Sequence, residues 1–309
     1  MHETIRIMCV ALSLTLAAGT GAEQDPEVAV LLSDEGGAYE AASAGLQDQL
    51  RTTGTNARIR VYRMGGDAKK LDVALTDLAA ARPAVVVPLG SLAAARAADI
   101  PTETPIVACL VLDEGGLARR PHSSAVTLQF PVALEFEWLK RVLPNARSVG
   151  VLYDPRTNAE RVARAREVVG GYGLSLMARE VPRPQDLPDA LEALADRVDV
   201  LWGMADPVVL TAATAKPVLT FSYSNRIPFV GLSESWVKAG ALYALERDYE
   251  DIGRQCGESV AQTLEGRGPA SFVALPPRKV SYTLNLRAAR YMRLELPASL
   301  VSGAKRTYE

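Results

Sequence analysis

The polar residues of this chain gather where its apolar runs stop. Glu27 to Leu32 ends at Ser33-Asp34, and Val85 to Leu89 ends at Gly90-Ser91. Pro105 to Leu112 ends at Asp113, and Ser148 to Tyr153 ends at Asp154-Pro155-Arg156-Thr157-Asn158. Val198 to Gly203 breaks at Asp206-Pro207, and Pro228 to Leu232 ends at Ser233-Glu234. Asp154, Asp206 and Glu234 could together receive an ammonium group, each charge-assisted hydrogen bond being worth roughly 1.5–3 kcal/mol once desolvated. Asp154, Asp206 and Asn158 read equally well as caps of the helices that follow. Glu is a poorer cap, so Glu234 is expected at a ligand or a hinge. Ser91 and the amides after Gly90 could hold an anionic group at a helix N-terminus. Tyr39, Tyr153 and Trp236 could stack on a ring or line an apolar pocket. Trp202 lies inside a strand and reads as core.

The same residue types argue against an enzyme. Beyond the first residues there is one histidine, His122, with no nucleophile matched to it. Gly231-Leu232-Ser233-Glu234-Ser235 lacks the second glycine of a nucleophile elbow. No metal-ligand spacing is present, and no cofactor is expected. Cys109 and Cys256 fall in apolar patterns. They could pair in an oxidising compartment, but two buried thiols is the favoured reading.

The elements that must carry these residues repeat. Strand and helix alternate from Glu27, and the order recurs from Ser148. LDVALTDLAAARPAVVVPLG from Leu71 lies beside LPDALEALADRVDVLWGMAD from Leu187, which sets Gly90 against Asp206. A short helix is expected from Val208 to Ala215, and the segment up to Arg247 reads as a crossing. Alternation with short connections predicts α/β architecture with right-handed, parallel βαβ units. Two similar lobes, each a parallel sheet flanked by helices, would then meet at a multi-strand hinge. In such sheets ligands lie beyond the carboxyl ends of the strands, where the polar clusters are. Lobe one is expected over 24–129 plus 248–274, and lobe two over 130–247 plus 275–309. Asp248 is the expected N-cap of the helix that returns to lobe one.

Composition fits this picture. The chain has 309 residues, 48% of them hydrophobic and 23% charged, enough for two cores. Its net charge of -2 and scattered basic residues argue against nucleic acid as a partner. Residues 1–22 read as a signal peptide: Arg6, an apolar stretch from Ile7 to Ala18, then Thr20-Gly21-Ala22. Periplasmic localisation is the expectation.

Four ordered blocks stand out: VGVLYDPRTNAERV from Val149, ALEALADRVDVLW from Ala190, IPFVGLSESWVKAGALYALERDYEDIGRQ from Ile227 and LNLRAARYMRLELPASL from Leu284. With these blocks the chain resembles extracytoplasmic substrate-binding proteins of ABC importers, of the type I periplasmic-binding-protein class. More narrowly, it looks like the branch with tryptophan- and phenylalanine-binding members. The resemblance implies hinge closure on a small solute and delivery to a membrane permease with its ATPase. A monomer is expected, binding an amino acid or a related amine-bearing solute. Two positions depart from that branch. Asp154-Pro155-Arg156-Thr157-Asn158 stands where a Glu-Pro-Asn-Ser-like run is usual, and Asp206-Pro207 stands where an Asp-Asn pair is usual. A sensor of the same fold, reporting to a receptor, is the alternative.

Overall fold

A computed structural model describes residues 25–112 and 115–309. The expected signal peptide and Asp113 lie outside the described residues. The first run contains β1 (Glu27–Leu32), α1 (Gly37–Thr52), β2 (Arg58–Arg63), α2 (Ala68–Ala81), β3 (Val85–Leu89), α3 (Ser91–Ala94), β4 (Ile106–Val111) and β5 (Ser123–Thr127). The second contains α4 (Val132–Val142), β6 (Ser148–Tyr153), α5 (Pro155–Val168), β7 (Ser175–Glu180), α6 (Leu187–Glu192), β8 (Val200–Trp202), α7 (Ala215–Asn225), β9 (Phe229–Gly231), α8 (Glu234–Ala239) and β10 (Tyr243–Arg247). The chain ends with α9 (Tyr249–Leu264), β11 (Val273–Leu275), β12 (Val280–Asn285), α10 (Leu286–Tyr291), α11 (Ala298–Gly303) and β13 (Arg306–Tyr308).

Among the described residues the strands form two sheets, ordered β11-β5-β4-β3-β1-β2 and β13-β12-β10-β9-β8-β6-β7. Every residue of β1, β3 and β4 is buried, as strands covered by helices on both faces must be. The first sheet is parallel throughout. The second departs from the expected parallel sheet at β12, which runs antiparallel to β10. The cause is topological: β12 comes from the other lobe and starts at the end of the sheet where its neighbours finish.

Three crossings join the lobes: 128–131, Arg247-Asp248 and 276–279. Leu275, expected at the start of lobe two, pairs with Val126 in the first sheet. β10 is a full sheet member, where the sequence suggested only a crossing. Asp248 caps α9 by accepting from the Asp251 amide at 2.9 Å. α9 then packs on α1 so closely that a Cβ on Gly253 would lie 2.0 Å from Ala42 O. The third crossing is held by Arg278, which bonds Asp251 at 2.9 Å and Glu258 at 3.0 Å. Burial opposes ionisation of Asp251, but hydrogen bonds from Arg278 and Lys279 outweigh it and hold the carboxyl below its usual range.

The helix expected over Val208–Ala215 is a correction. Those residues form turns, and α7 begins at Ala215, where that helix was to end. Asp206 accepts the Val208 and Val209 amides, and Thr211 and Thr214 bond one another, so local side chains compete with helix formation. Pro217 is tolerated in the first turn of α7 because its missing N–H has no helical partner there.

Candidate functional site

The predicted residues of the first lobe form one small group. The Ser33 amide donates to Leu89 O at 2.9 Å, and the Ser33 hydroxyl accepts from the Ala93 amide at 3.0 Å. Ser33 thereby ties the end of β1 to the start of α3. Gly90 has φ +98°, and a Cβ there would lie 2.5 Å from Tyr39 Cε1. The half-buried Tyr39 ring therefore rests on Gly90. Burial and the nearby Asp34 carboxylate push its hydroxyl pKa up. Asp34 and Ser91 are exposed, and Asp34 caps only the Glu35 amide.

The second lobe uses its polar residues differently. Asp206 Oδ2 accepts from the Asp154 amide and from Asn158 Nδ2, each at 2.8 Å. Its Oδ1 accepts from the Val208 and Val209 amides, also at 2.8 Å. Asp154 caps α5 and holds Arg156 through Nε at 2.9 Å and Nη2 at 2.9 Å. That hydrogen bonding keeps its carboxyl below the usual range. Asp154, Asn158 and Asp206 are brought together, all buried, and are satisfied by one another, by Arg156 and by the backbone. An ammonium receptor needs lone pairs free to accept, and here nearly all are in use.

The other four predictions fall elsewhere. Glu234 Oε1 accepts from Tyr308 at 2.6 Å and pairs with Arg306 at 2.9 Å, both on β13. It is therefore not part of a carboxylate cluster with Asp154 and Asp206. Trp236, on α8 and partly buried, packs edge-on against Phe229 at 5.6 Å, at the border of the core cluster that holds Val218 of α7. Tyr153 is buried in the main core of the lobe and donates to Glu180 at 3.1 Å. Ser233 bonds Ser235 at 2.8 Å at the start of α8.

A groove of about 700 Å³ lies between the lobes. Leu112, Ala118, Thr127 and Ala274 come from the first lobe, and Thr157, Asn158, Arg161 and Arg164 from the second. Its floor is the first crossing, Gln129-Phe130-Pro131. Gln129, Phe130 and Arg161 also line a recess of about 40 Å³, room for a few water molecules, whose walls include Glu135, Trp202 and Tyr243. Of the predicted residues only Asn158 lines either space.

Arg161 organises this junction. It donates to Gln129 Oε1 at 3.0 Å, Phe130 O at 3.2 Å and Glu135 Oε2 at 2.5 Å. Its guanidinium also lies 5.6 Å from the Trp202 ring centre. Burial pushes the Glu135 pKa up, opposed by the Arg161 and Arg247 charges. Arg247, on the second crossing, donates to Leu128 O on the first and covers the Phe130 ring at 5.0 Å. Burial lowers its pKa. Tyr243, facing the recess, is raised by burial and by Glu135. Sequence reasoning missed Gln129, Phe130, Glu135, Arg161 and Tyr243, and it assigned Trp202 to core alone. One signal was present: Thr157, Arg161, Arg164 and Val168 follow helical spacing along one face of α5.

Among the described residues no helix is long and apolar enough to cross a membrane, and no cluster of three or more His, Cys, Asp or Glu could hold a metal ion.

Solved structures share this fold. An ABC domain from Streptococcus pneumonia in complex with L-Trp is 20% identical, with TM-score 0.62, over 92% of this chain and 99% of that one. A conserved domain protein from Vibrio cholerae is 24% identical, with TM-score 0.62, over 91% and 99%. The ligand-free, open structure of CD0873, a substrate-binding protein with adhesive properties from Clostridium difficile, is 19% identical, with TM-score 0.74, over 92% and 99%. A search of curated proteins found no match. The family model for ABC transporter substrate binding proteins, which is not an enzyme family, matches residues 27–308. Two parallel-sheet lobes enclosing a groove over three crossings agree with that match, and the chain belongs to the ABC transporter substrate-binding protein family.

Proposed function

We propose that this chain captures a small solute in the interlobe groove outside the cytoplasm and delivers it to an ABC permease and its ATPase. The observation that carries the reading is the groove: side chains of both lobes line it, and its floor is a crossing. A solute there touches both lobes at once, so it binds a closed arrangement better than an open one and shifts the equilibrium towards closure. Arg161 and Arg247 tie the crossings to each other and to the second lobe, giving the motion a defined pivot.

An amino acid remains the first ligand class to test, for a different reason than the carboxylate cluster. The groove offers an apolar side at Leu112, Phe130 and Val168, amide and hydroxyl groups at Gln129, Thr157 and Asn158, and the guanidinium groups of Arg161 and Arg164. That combination suits a small solute with an apolar side chain and a carboxylate. The family relative solved with L-Trp supports the same class. Residues 1–22 serve as the export signal in this reading, and the protein acts as a monomer.

Native mass spectrometry of the purified protein, followed by calorimetry against the twenty amino acids, tests the proposal. A single retained small molecule, or heat from one amino acid, is expected. A bare chain that is silent across the panel would remove the amino-acid reading.

A further inference from the structure

Cys109 lies on β4 and Cys256 in the middle of α9. Both are fully buried in one apolar cluster of the first lobe, with Leu89, Val107 and Ile252. The groove and its recess use neither. Each thiol is directed at the backbone beside the other. Cys109 Sγ lies 3.9 Å from Ile252 O, one helical turn before Cys256. Cys256 Sγ lies 3.6 Å from Ala108 O, the residue before Cys109. The two sulfurs therefore share one small space between β4 and α9. Burial pushes the Cys256 thiol well up, and a hydrogen bond with Cys109 adds to this.

We infer that Cys109 and Cys256 form a disulfide when the chain folds in an oxidising compartment, fastening α9 to β4. The structure places the two as separate thiols. α9 reaches the first lobe only after the chain has built most of the second, so the bond joins the two separate pieces of lobe one covalently. Lobe closure then turns on the crossings, with α9 fixed to its sheet.

The oxidant is a disulfide, R–S–S–R, of the exchange type found in such compartments. One cysteine thiolate attacks it, forming a mixed disulfide and releasing RS⁻. The second thiolate displaces the remaining RS⁻ and closes the Cys109–Cys256 bond. Two electrons pass to the oxidant, and the two thiol protons end on two RSH. Native burial makes the thiols unreactive, so the exchange precedes completion of the lobe-one core.

The inference draws on the export proposal only for where the oxidant is met, and its test supplies the oxidant directly. The full chain is denatured and reduced, then refolded either in a mixture of oxidised and reduced glutathione or in excess reductant. Free thiols are alkylated, and the peptides are mapped without reduction. The glutathione sample is expected to give one cross-linked peptide pair holding Cys109 and Cys256, and to melt about 8 °C above the reduced sample. The Cys109→Ala/Cys256→Ala variant is expected to melt at the same temperature in both buffers. Two alkylated thiols in folded, glutathione-refolded protein would overturn the inference. So would a cross-link to Cys9, the third cysteine of the full chain, or an oxidised form that melts below the reduced one.

Discussion

The two lobes place polar residues at the same point of the same topology and use them differently. Ser33 follows β1 as Asp154 follows β6, yet Ser33 accepts one amide while Asp154 joins a buried set centred on Asp206. Asp34 and Ser91 in the first lobe are exposed, and Tyr39 is half-buried beside them. In the second lobe the polar groups at the strand ends are spent on holding loops, and the groove takes its polar lining from the α5 face and the crossing. Equivalent positions in a duplicated fold thus do not imply equivalent roles. Which lone pairs remain free decides what a residue can bind.

Breaking each side of the comparison should give graded effects. Asp206→Ala leaves four donors without their acceptor and should cost about 4 kcal/mol, a fall of roughly 7 °C in melting temperature. Thermal unfolding checks this. An effect under about 1 kcal/mol would mean that the network does not hold the lobe.

Arg161→Met should come next, at about 2–3 kcal/mol near pH 8, because it leaves the Glu135 carboxylate buried without its partner. The pH dependence has a definite sign. A carboxyl whose folded pKa is raised costs most when ionised, so the variant should lose stability as pH rises from about 4.3, the unfolded value, through the raised folded value. Urea unfolding at pH 5 and pH 8 reads the difference, and a larger deficit at pH 5 would contradict the assignment.

Gly90→Ala should cost about 2 kcal/mol, because the new methyl meets Tyr39 and Ser33 at a left-handed φ. If Tyr39 faces the solute on closure, calorimetry should also show weaker binding. Ser33→Ala, the first-lobe contrast to Asp206→Ala, should cost only about 1 kcal/mol. The smallest effect is expected at Glu234→Gln, whose partners lie on β13. Ligand affinity there should change by less than about twofold, and a larger loss would return Glu234 to the site.

The fold was largely legible because VAVLL from Val28, VVVPL and IVACLV are apolar throughout, as strands buried on both faces must be. β5 was not, since Ser123 and Ser124 look like loop residues. Ser123 is buried because its hydroxyl bonds Arg120 O at 2.8 Å, a partner no pattern announces. α7 escaped because Pro217 sits in its first turn. The site was less legible than the fold. Carboxylates at strand ends can be seen in the sequence, but the four donors around Asp206 cannot. Glu135, Arg161 and Tyr243 stand on α4, α5 and β10, and only the folded second lobe brings them to one recess.

The central claim is that a solute bridges the two lobes and closes them over the groove. Small-angle scattering with and without the solute identified by native mass spectrometry tests this most directly. The account predicts a smaller radius of gyration at saturation, and the same compaction should survive Glu234→Gln. Saturating solute with an unchanged radius would contradict it.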